Sequence, residues 1–190
     1  PPETSYTHRS LIYGARCEGK FKISNFSFAQ DCRATLEIVK ALGCGVVFSD
    51  ERSLILTSPK TLCAPSKTLD CGNSGTSMRL LAGLLSGYNF KSILTGDKSL
   101  SKRPMKRVIE PLSLMGAKIK SNDFKAPLEI TGGKLNPIEY FSPISSAQVK
   151  SCILLAGVNT IGETTVCEKT LSRNHSERMF EYLGANIQTG

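Results

Sequence analysis

Apolar residues recur at helical spacing in six stretches of this chain, and each stretch opens on polar residues and closes toward a glycine. The segments "SYTHRSLIYGARCEGKFKISNF", "NSGTSMRLLAGLLSGYNFKSILTG" and "SSAQVKSCILLAGVNTIGETTVCE" each run from a polar helix start, through an apolar helix, to a glycine and a strand. A second helix follows each time, in "DCRATLEIVKALGCGVVF", "RPMKRVIEPLSLMGAKIK" and "NHSERMFEYLGANI". The second helices share one ending: Leu or Met, a glycine, a small residue and a strand, at Gly43, Gly116 and Gly184. Glycine there supplies the left-handed turn that stops a helix and redirects the chain.

Self-similarity with a period of about 70 residues predicts three copies of one helix, strand, helix, strand unit within a single domain. The repeats are expected at about 1–60, 61–134 and 135–190. Short strands should fill the connections, as in "SLILTS" and "APLEITG", with another at the closing "ANIQTG". Such alternation predicts an α/β fold whose sheets are faced by helices. Pro111 conflicts with its surroundings, because it lies inside the amphipathic pattern from Pro104 to Gly116, and a kink is expected there.

With 190 residues, 40% of them hydrophobic and 21% charged, the chain can bury a real core. No apolar run nears the roughly 20 residues that span a bilayer, and no charged-then-apolar leader opens the chain, so a cytoplasmic protein with no membrane partner is expected. A start at Pro1 and an end in a strand-like run suggest a piece of a longer protein.

The formal charge of +8 is compatible with nucleic acid, a membrane surface or small anions. Nucleic-acid binders gather Lys and Arg on one stripe among stacking aromatics, whereas here the basic residues are dispersed and aromatics are 7% of the chain. Small phosphorylated or carboxylated ligands fit better, and no nucleic-acid partner is expected. The seven cysteines, Cys17, Cys32, Cys44, Cys63, Cys71, Cys152 and Cys167, lack metal-knuckle spacing and read as buried reduced thiols. Two histidines, His8 and His175, are too few for a metal site on their own.

The first helix of each repeat opens with residues of one chemical kind: Ser5 and Thr7 before Arg9, Asn73 to Ser77 before Arg79, and Ser145, Ser146 and Gln148 before Lys150. Hydroxyls and amides serve the free N–H groups of a helix start, which also carry the positive end of the helix dipole. A cation one turn in adds a charge-assisted contact to phosphate or carboxylate. Ordinary capping explains any one of these starts; recurrence and Gly75, a side-chain-free position that capping does not require, favour an anion site. Arg103, just before Pro104, reads as a ligand at a helix mouth, while Lys106 and Arg107 are equally a solvated face. "GNSGTSMR" lacks the lysine that a nucleotide phosphate loop needs after its second glycine.

Four motifs, "NSGTSMRLLAGLL", "LTGDKSLSKRPMKRVIEPL", "SPISSAQVKSCILLAG" and "LSRNHSERM", resemble the enolpyruvylshikimate phosphate (EPSP) synthase family over essentially the whole chain. The resemblance implies an inside-out, barrel-like α/β domain of three βαβαββ repeats, with buried helices and outward sheets. It implies one of two such domains, the other lying elsewhere in the same polypeptide. It further implies transfer of the enolpyruvyl group of phosphoenolpyruvate to the 5-hydroxyl of shikimate 3-phosphate in the shikimate pathway, the reaction glyphosate targets, with no metal and no organic cofactor.

On the same basis Thr4, Ser5, Arg9, Ser146, Gln148 and Ser172 are expected to contact shikimate 3-phosphate. Gly75, Arg103 and Gln148 would hold phosphoenolpyruvate, and Asn73, Arg79 and His175 would shape the pocket; His175 is equally readable as a solvent-facing residue at a helix start. No catalytic acid or base is assigned within this chain, so the fragment alone should bind without turnover. In "PPETSYTHR" the family's usual Asp and Lys are replaced by Glu3 and Thr4, which removes a charge that contacts both substrates. The alternatives are a non-catalytic or decayed domain of this fold, the related UDP-N-acetylglucosamine enolpyruvyl transferase, and an RNA-end-processing enzyme of similar repeats.

Overall fold

The computed structural model describes residues 3–190, which form two compact units: 3–63 with 174–190, and Ala64–Arg173. Pro1 and Pro2 of the opening motif lie outside the described residues.

In the first unit, helix α1 (Thr4–Arg16) leads into strand β1 (Gly19–Ile23), helix α2 (Gln30–Ala41), and the hairpin strands β2 (Gly45–Asp50) and β3 (Ser53–Ser58). Helix α6 (His175–Tyr182) belongs to the same unit. The strands form an antiparallel sheet in the order β1-β3-β2, with Phe21 opposite Leu56 and Val47 opposite Ile55. Leu11, Ile12 and Tyr13 of α1, Leu36 and Val39 of α2, and Leu54 and Leu56 of β3 are buried, and the Tyr13 ring meets Phe180 of α6 at 4.6 Å. β2 faces solvent along most of its length.

The second unit contains strand β4 (Leu69–Asp70), helix α3 (Gly75–Ser86), strand β5 (Lys91–Thr95), a 3-10 turn (Leu100–Lys102) and helix α4 (Lys106–Leu114). Strands β6 (Lys118–Asn122), β7 (Lys125–Thr131) and β8 (Glu139–Ser142), helix α5 (Ala147–Gly157) and strand β9 (Thr165–Glu168) complete it. One sheet runs β4-β5-β7-β6 and a second pairs β8 with β9; β4/β5 and β8/β9 are parallel pairs, each joined by the helical crossover that parallel neighbours need. α3 is buried on almost every side, as its run of apolar residues after Arg79 requires, and it packs on α5. At Gly83 the α5 backbone comes so close that an added Cβ would lie 2.1 Å from the Cys152 carbonyl oxygen.

The three predicted glycine stops are one hydrogen-bonded device used three times. Gly43, Gly116 and Gly184 have φ of 100°, 94° and 80°, a region that side chains disfavour. After each, the small residue's N–H reaches back into the last helical turn: Cys44 to Val39, Ala117 to Leu112 and Ala185 to Phe180, at 3.0, 2.9 and 2.9 Å. This is the Schellman arrangement. Pro111 lies inside α4.

The closing strand does not form. Residues 185–190 pair with none of the described strands, and without a neighbour's ladder an extended run is not a sheet member. The cysteine expectation also needs correction. All seven thiols are free, and Cys32, Cys44, Cys71 and Cys152 are buried, but Cys63 is exposed. Among the described residues, no helix is long and apolar enough to cross a membrane.

Candidate functional site

In the second unit, five residues assigned to the site from the sequence, Asn73, Gly75, Arg79, Arg103 and Gln148, gather around the start of α3. Ser74 caps this helix, its hydroxyl accepting from the Ser77 N–H at 3.0 Å. Gly75 follows, and an added Cβ would sit 2.7 Å from Arg79 Nη1 and 3.2 Å from Arg103 Nη1. Two guanidinium groups therefore flank a helix start at the one position with no side chain to hold them off. Arg79 Nη1 donates to Gln148 Oε1 at 2.7 Å, and Gln148 Nε2 donates to Thr76 Oγ1 at 2.9 Å, which fixes the amide's orientation. Arg103 Nη2 donates to Asn73 Oδ1 at 2.7 Å, and Asn73 Nδ2 donates to Asp97 Oδ2 at 2.7 Å.

Burial, and then the neighbouring charges of Arg103 and Arg107, lower the Arg79 pKa from its ordinary value. Asp97 is held below the usual carboxylate range by the Asn73 amide and the Leu100 N–H. Among the described residues, neither Arg79 nor Arg103 has a carboxylate oxygen within 4.0 Å. Two guanidinium groups beside the start of a helix place positive charge next to the positive end of its dipole.

A second assembly in the same unit centres on Glu168, at the end of β9. Its Oε1 accepts from the Ser146 N–H at 3.1 Å. Its Oε2 accepts from the Ser172 N–H at 3.2 Å and the Ser172 hydroxyl at 2.8 Å, and lies 3.0 Å from Lys150 Nζ. The Lys150 and Glu168 side chains are 9% and 4% exposed. Burial would raise the Glu168 carboxyl, but hydrogen bonds from Ser172, Lys150 and Ser146 outweigh it and hold the group below its ordinary value. One carboxylate thus ties the helix start at Ser146 to Ser172. The Ser146 hydroxyl accepts from the Val149 N–H at 3.4 Å as the cap of α5, leaving its own O–H to donate outward.

In the first unit, Arg9 is almost fully buried in α1, with Nη1 donating to Ser5 Oγ at 2.7 Å and Nε donating to Ser176 Oγ at 3.1 Å. The His175 ring stacks on Tyr6, centroids 4.5 Å apart, and its Nδ1 lies 3.4 Å from Ser5 Oγ. Arg9, Ser5 and His175 are therefore neighbours within this unit, and Thr4 stands exposed at the first position of the same helix.

The sequence pattern of the family described as EPSP synthase (3-phosphoshikimate 1-carboxyvinyltransferase) matches residues 1–190. The chain belongs to the EPSP synthase family. It is 50% identical over 194 residues to a 3-phosphoshikimate 1-carboxyvinyltransferase of Geobacter sp. (strain M21), covering all of this chain and 45% of that protein. A relative of the same description from a Nitratiruptor species is also 50% identical, over 99% of this chain and 44% of its own. The structure of EPSP synthase from Acinetobacter baumannii superposes with a TM-score of 0.95 at 43% identity, covering 100% of this chain and 44% of that one. The fold is thus the inside-out α/β type of that family, and the chain spans under half the length of the relatives it matches.

Several expectations change in detail. Ser5 and Thr7 lie in the opening turn of α1 but do not cap it; Thr7 Oγ1 donates to the Glu3 carbonyl one turn back at 3.2 Å, as an in-helix threonine does. Arg103 is not at the mouth of α4, which starts at Lys106, but ends the 3-10 turn. The Met105 N–H is held by the Phe124 carbonyl at 2.7 Å, which delays the helix beyond Pro104. Lys150 does not offer its charge outward, because Glu168 neutralises it.

The sequence reading missed Glu168, Asp97, Tyr6 and Ser176. For Ser176 the signal was its place in "LSRNHSER", already recognised as a helix start; for Glu168, a lone acid four residues before Ser172, no local pattern existed. The one group of metal-capable side chains among the described residues is His8, Asp31 and Cys32. Burial lowers the His8 pKa against the opposing pull of Asp31, and burial followed by the Asp31 charge pushes the Cys32 thiol up to about 12.

Proposed function

We propose that the whole protein transfers the enolpyruvyl group of phosphoenolpyruvate to the 5-hydroxyl of shikimate 3-phosphate with release of phosphate, in the cytoplasm. The observation that carries this reading is the pair of guanidinium groups over Gly75, neither of which, among the described residues, forms an ion pair with a carboxylate. Phosphoenolpyruvate brings a carboxylate and a phosphate, and Arg79 and Arg103 beside the α3 start supply matching positive charge. Gln148, oriented by Arg79 and Thr76, is assigned to both substrates.

Shikimate 3-phosphate is assigned to Ser146 and Ser172 of the second unit, which Glu168 fixes relative to one another; taken by itself, the first unit's cluster of Ser5, Arg9 and His175 suits the same ligand. In the bound state Ser172 either turns its hydroxyl from Glu168 or accepts from a sugar-like hydroxyl of the substrate. Groups that move protons are assigned to the rest of the polypeptide, as is water exclusion by closure over the ligands. No metal or organic cofactor and no nucleic acid has a part in this reading.

Thr4 favours one competing reading, a domain that retains ligand binding but has lost turnover, because a threonine cannot provide the charge of the family's lysine. Phosphate release by the whole protein supplied with both substrates separates the two. Release that requires both and falls sharply in Arg103→Ala supports the transferase; ligand binding without release supports the decayed domain.

A further inference from the structure

We infer that His8, Asp31 and Cys32 form a binding site for one zinc-class divalent cation, joining α1 to α2. His8 Nε2 lies 3.2 Å from Asp31 Oδ2 and 3.9 Å from Cys32 Sγ, and all three donor atoms fall within 4.8 Å of one another. Zinc bonds of about 2.0–2.3 Å place tetrahedral ligands about 3.3–3.7 Å apart, so two edges are already near the required length. The third, from Asp31 to Cys32, is at most 4.8 Å. Imidazole, thiolate and carboxylate together are a donor set for zinc rather than for magnesium or calcium, which prefer oxygen alone.

The outer contacts also suit a ligating histidine. The Thr35 hydroxyl donates to the Asp31 carbonyl at 3.2 Å, and its oxygen lies 2.9 Å from His8 Nδ1. With that proton committed to the carbonyl, Thr35 Oγ1 accepts from Nδ1–H. A neutral ring so held presents its Nε2 lone pair toward Asp31 and Cys32. A hydrogen bond at the far ring nitrogen is the usual way such a tautomer is fixed.

His8 and Cys32 are buried, whereas the Asp31 side chain is 34% exposed, so the ion enters past Asp31 and water completes its shell there. Binding converts the Cys32 thiol to a zinc-bound thiolate and passes one proton to solvent. Because Ser5 and Arg9 stand on α1 beside His8, a bound ion holds the segment that carries them against α2.

The test is cobalt spectroscopy and zinc retention by the intact chain. Wild type should show a thiolate-to-cobalt charge-transfer band that zinc abolishes, and should retain one zinc per chain after dialysis. Cys32→Ala and Asp31→Asn should lose the band and bring retention to background, and Thr35→Val should weaken zinc about 10- to 100-fold. Wild type without a band, or Cys32→Ala with the band and the zinc of wild type, overturns the inference. The six remaining cysteines make that variant the control for adventitious thiol binding. The wild-type spectrum decides the matter even if a variant misfolds, and no arm depends on substrate turnover.

Discussion

Replacing Glu168 by glutamine removes one negative charge and keeps one acceptor oxygen. The loss is large because of what this carboxylate faces: the ammonium of Lys150 at 3.0 Å, with both side chains under a tenth exposed, and three hydrogen bonds from Ser146 and Ser172. Leaving a buried charge without its partner costs about 3–5 kcal/mol. For a chain of this size each kilocalorie moves the melting temperature by about 2–4 °C, so Glu168→Gln should melt about 6–20 °C lower. Lys150→Met should also destabilise. The double variant removes both charges and should cost about 2–3 kcal/mol less than the sum of the singles.

Urea unfolding of the four proteins closes this cycle. The sign with pH follows from the lowered carboxyl. Its contribution is complete above the ordinary value of 4.5 and fades as pH falls through the lower folded value. The difference between wild type and Glu168→Gln should therefore shrink on acidification below that value. Additive singles, or a difference that does not change with pH, would refute the account of Glu168 as a buried charge clamp.

Gly75→Ala places a methyl 2.7 Å from Arg79 Nη1 and must displace a guanidinium; losing one charge-assisted contact of about 1.5–3 kcal/mol should raise the KM for phosphoenolpyruvate about 10- to 150-fold in steady-state assays, with the KM for shikimate 3-phosphate little changed. Arg103→Lys should recover only part of what Arg103→Ala loses, since an ammonium cannot reproduce the guanidinium's two-point geometry. Thr4→Lys restores a charge at the exposed start of α1 and should lower the phosphoenolpyruvate KM about tenfold or more; an unchanged KM removes Thr4 from the site. The 190-residue chain alone should show calorimetric binding of shikimate 3-phosphate at millimolar concentration and no turnover.

Local chemistry was legible in the sequence, and contacts distant along the chain were not. The glycine stops at Gly43, Gly116 and Gly184 could be read because a helix end is decided within a few residues. The caps Ser74 and Ser146 were legible for the same reason. α1 misled the reading, since its cap position is Glu3 with no side-chain cap bond, Thr7 turns its hydroxyl back to the Glu3 carbonyl, and the Ser5 hydroxyl accepts from Arg9 one turn on. At Arg103 the decision came from across the unit, where the Phe124 carbonyl captures Met105 and postpones α4. Glu168 follows the same rule: its importance arises where β9 meets the start of α5, a meeting no window of sequence contains. The exposed Cys63 was misread because an apolar neighbourhood in sequence is not burial in space.

The central claim is that this chain carries the anion-binding half of an enolpyruvyl transfer site, built on Arg79 and Arg103 at the start of α3. Phosphorus NMR of the whole protein with phosphoenolpyruvate and shikimate 3-phosphate tests it most directly. The account predicts a growing inorganic phosphate line that requires both substrates and fades in Arg103→Ala, with the phosphoenolpyruvate line perturbed in wild type. Unperturbed substrate lines and no phosphate release at millimolar concentrations would contradict it.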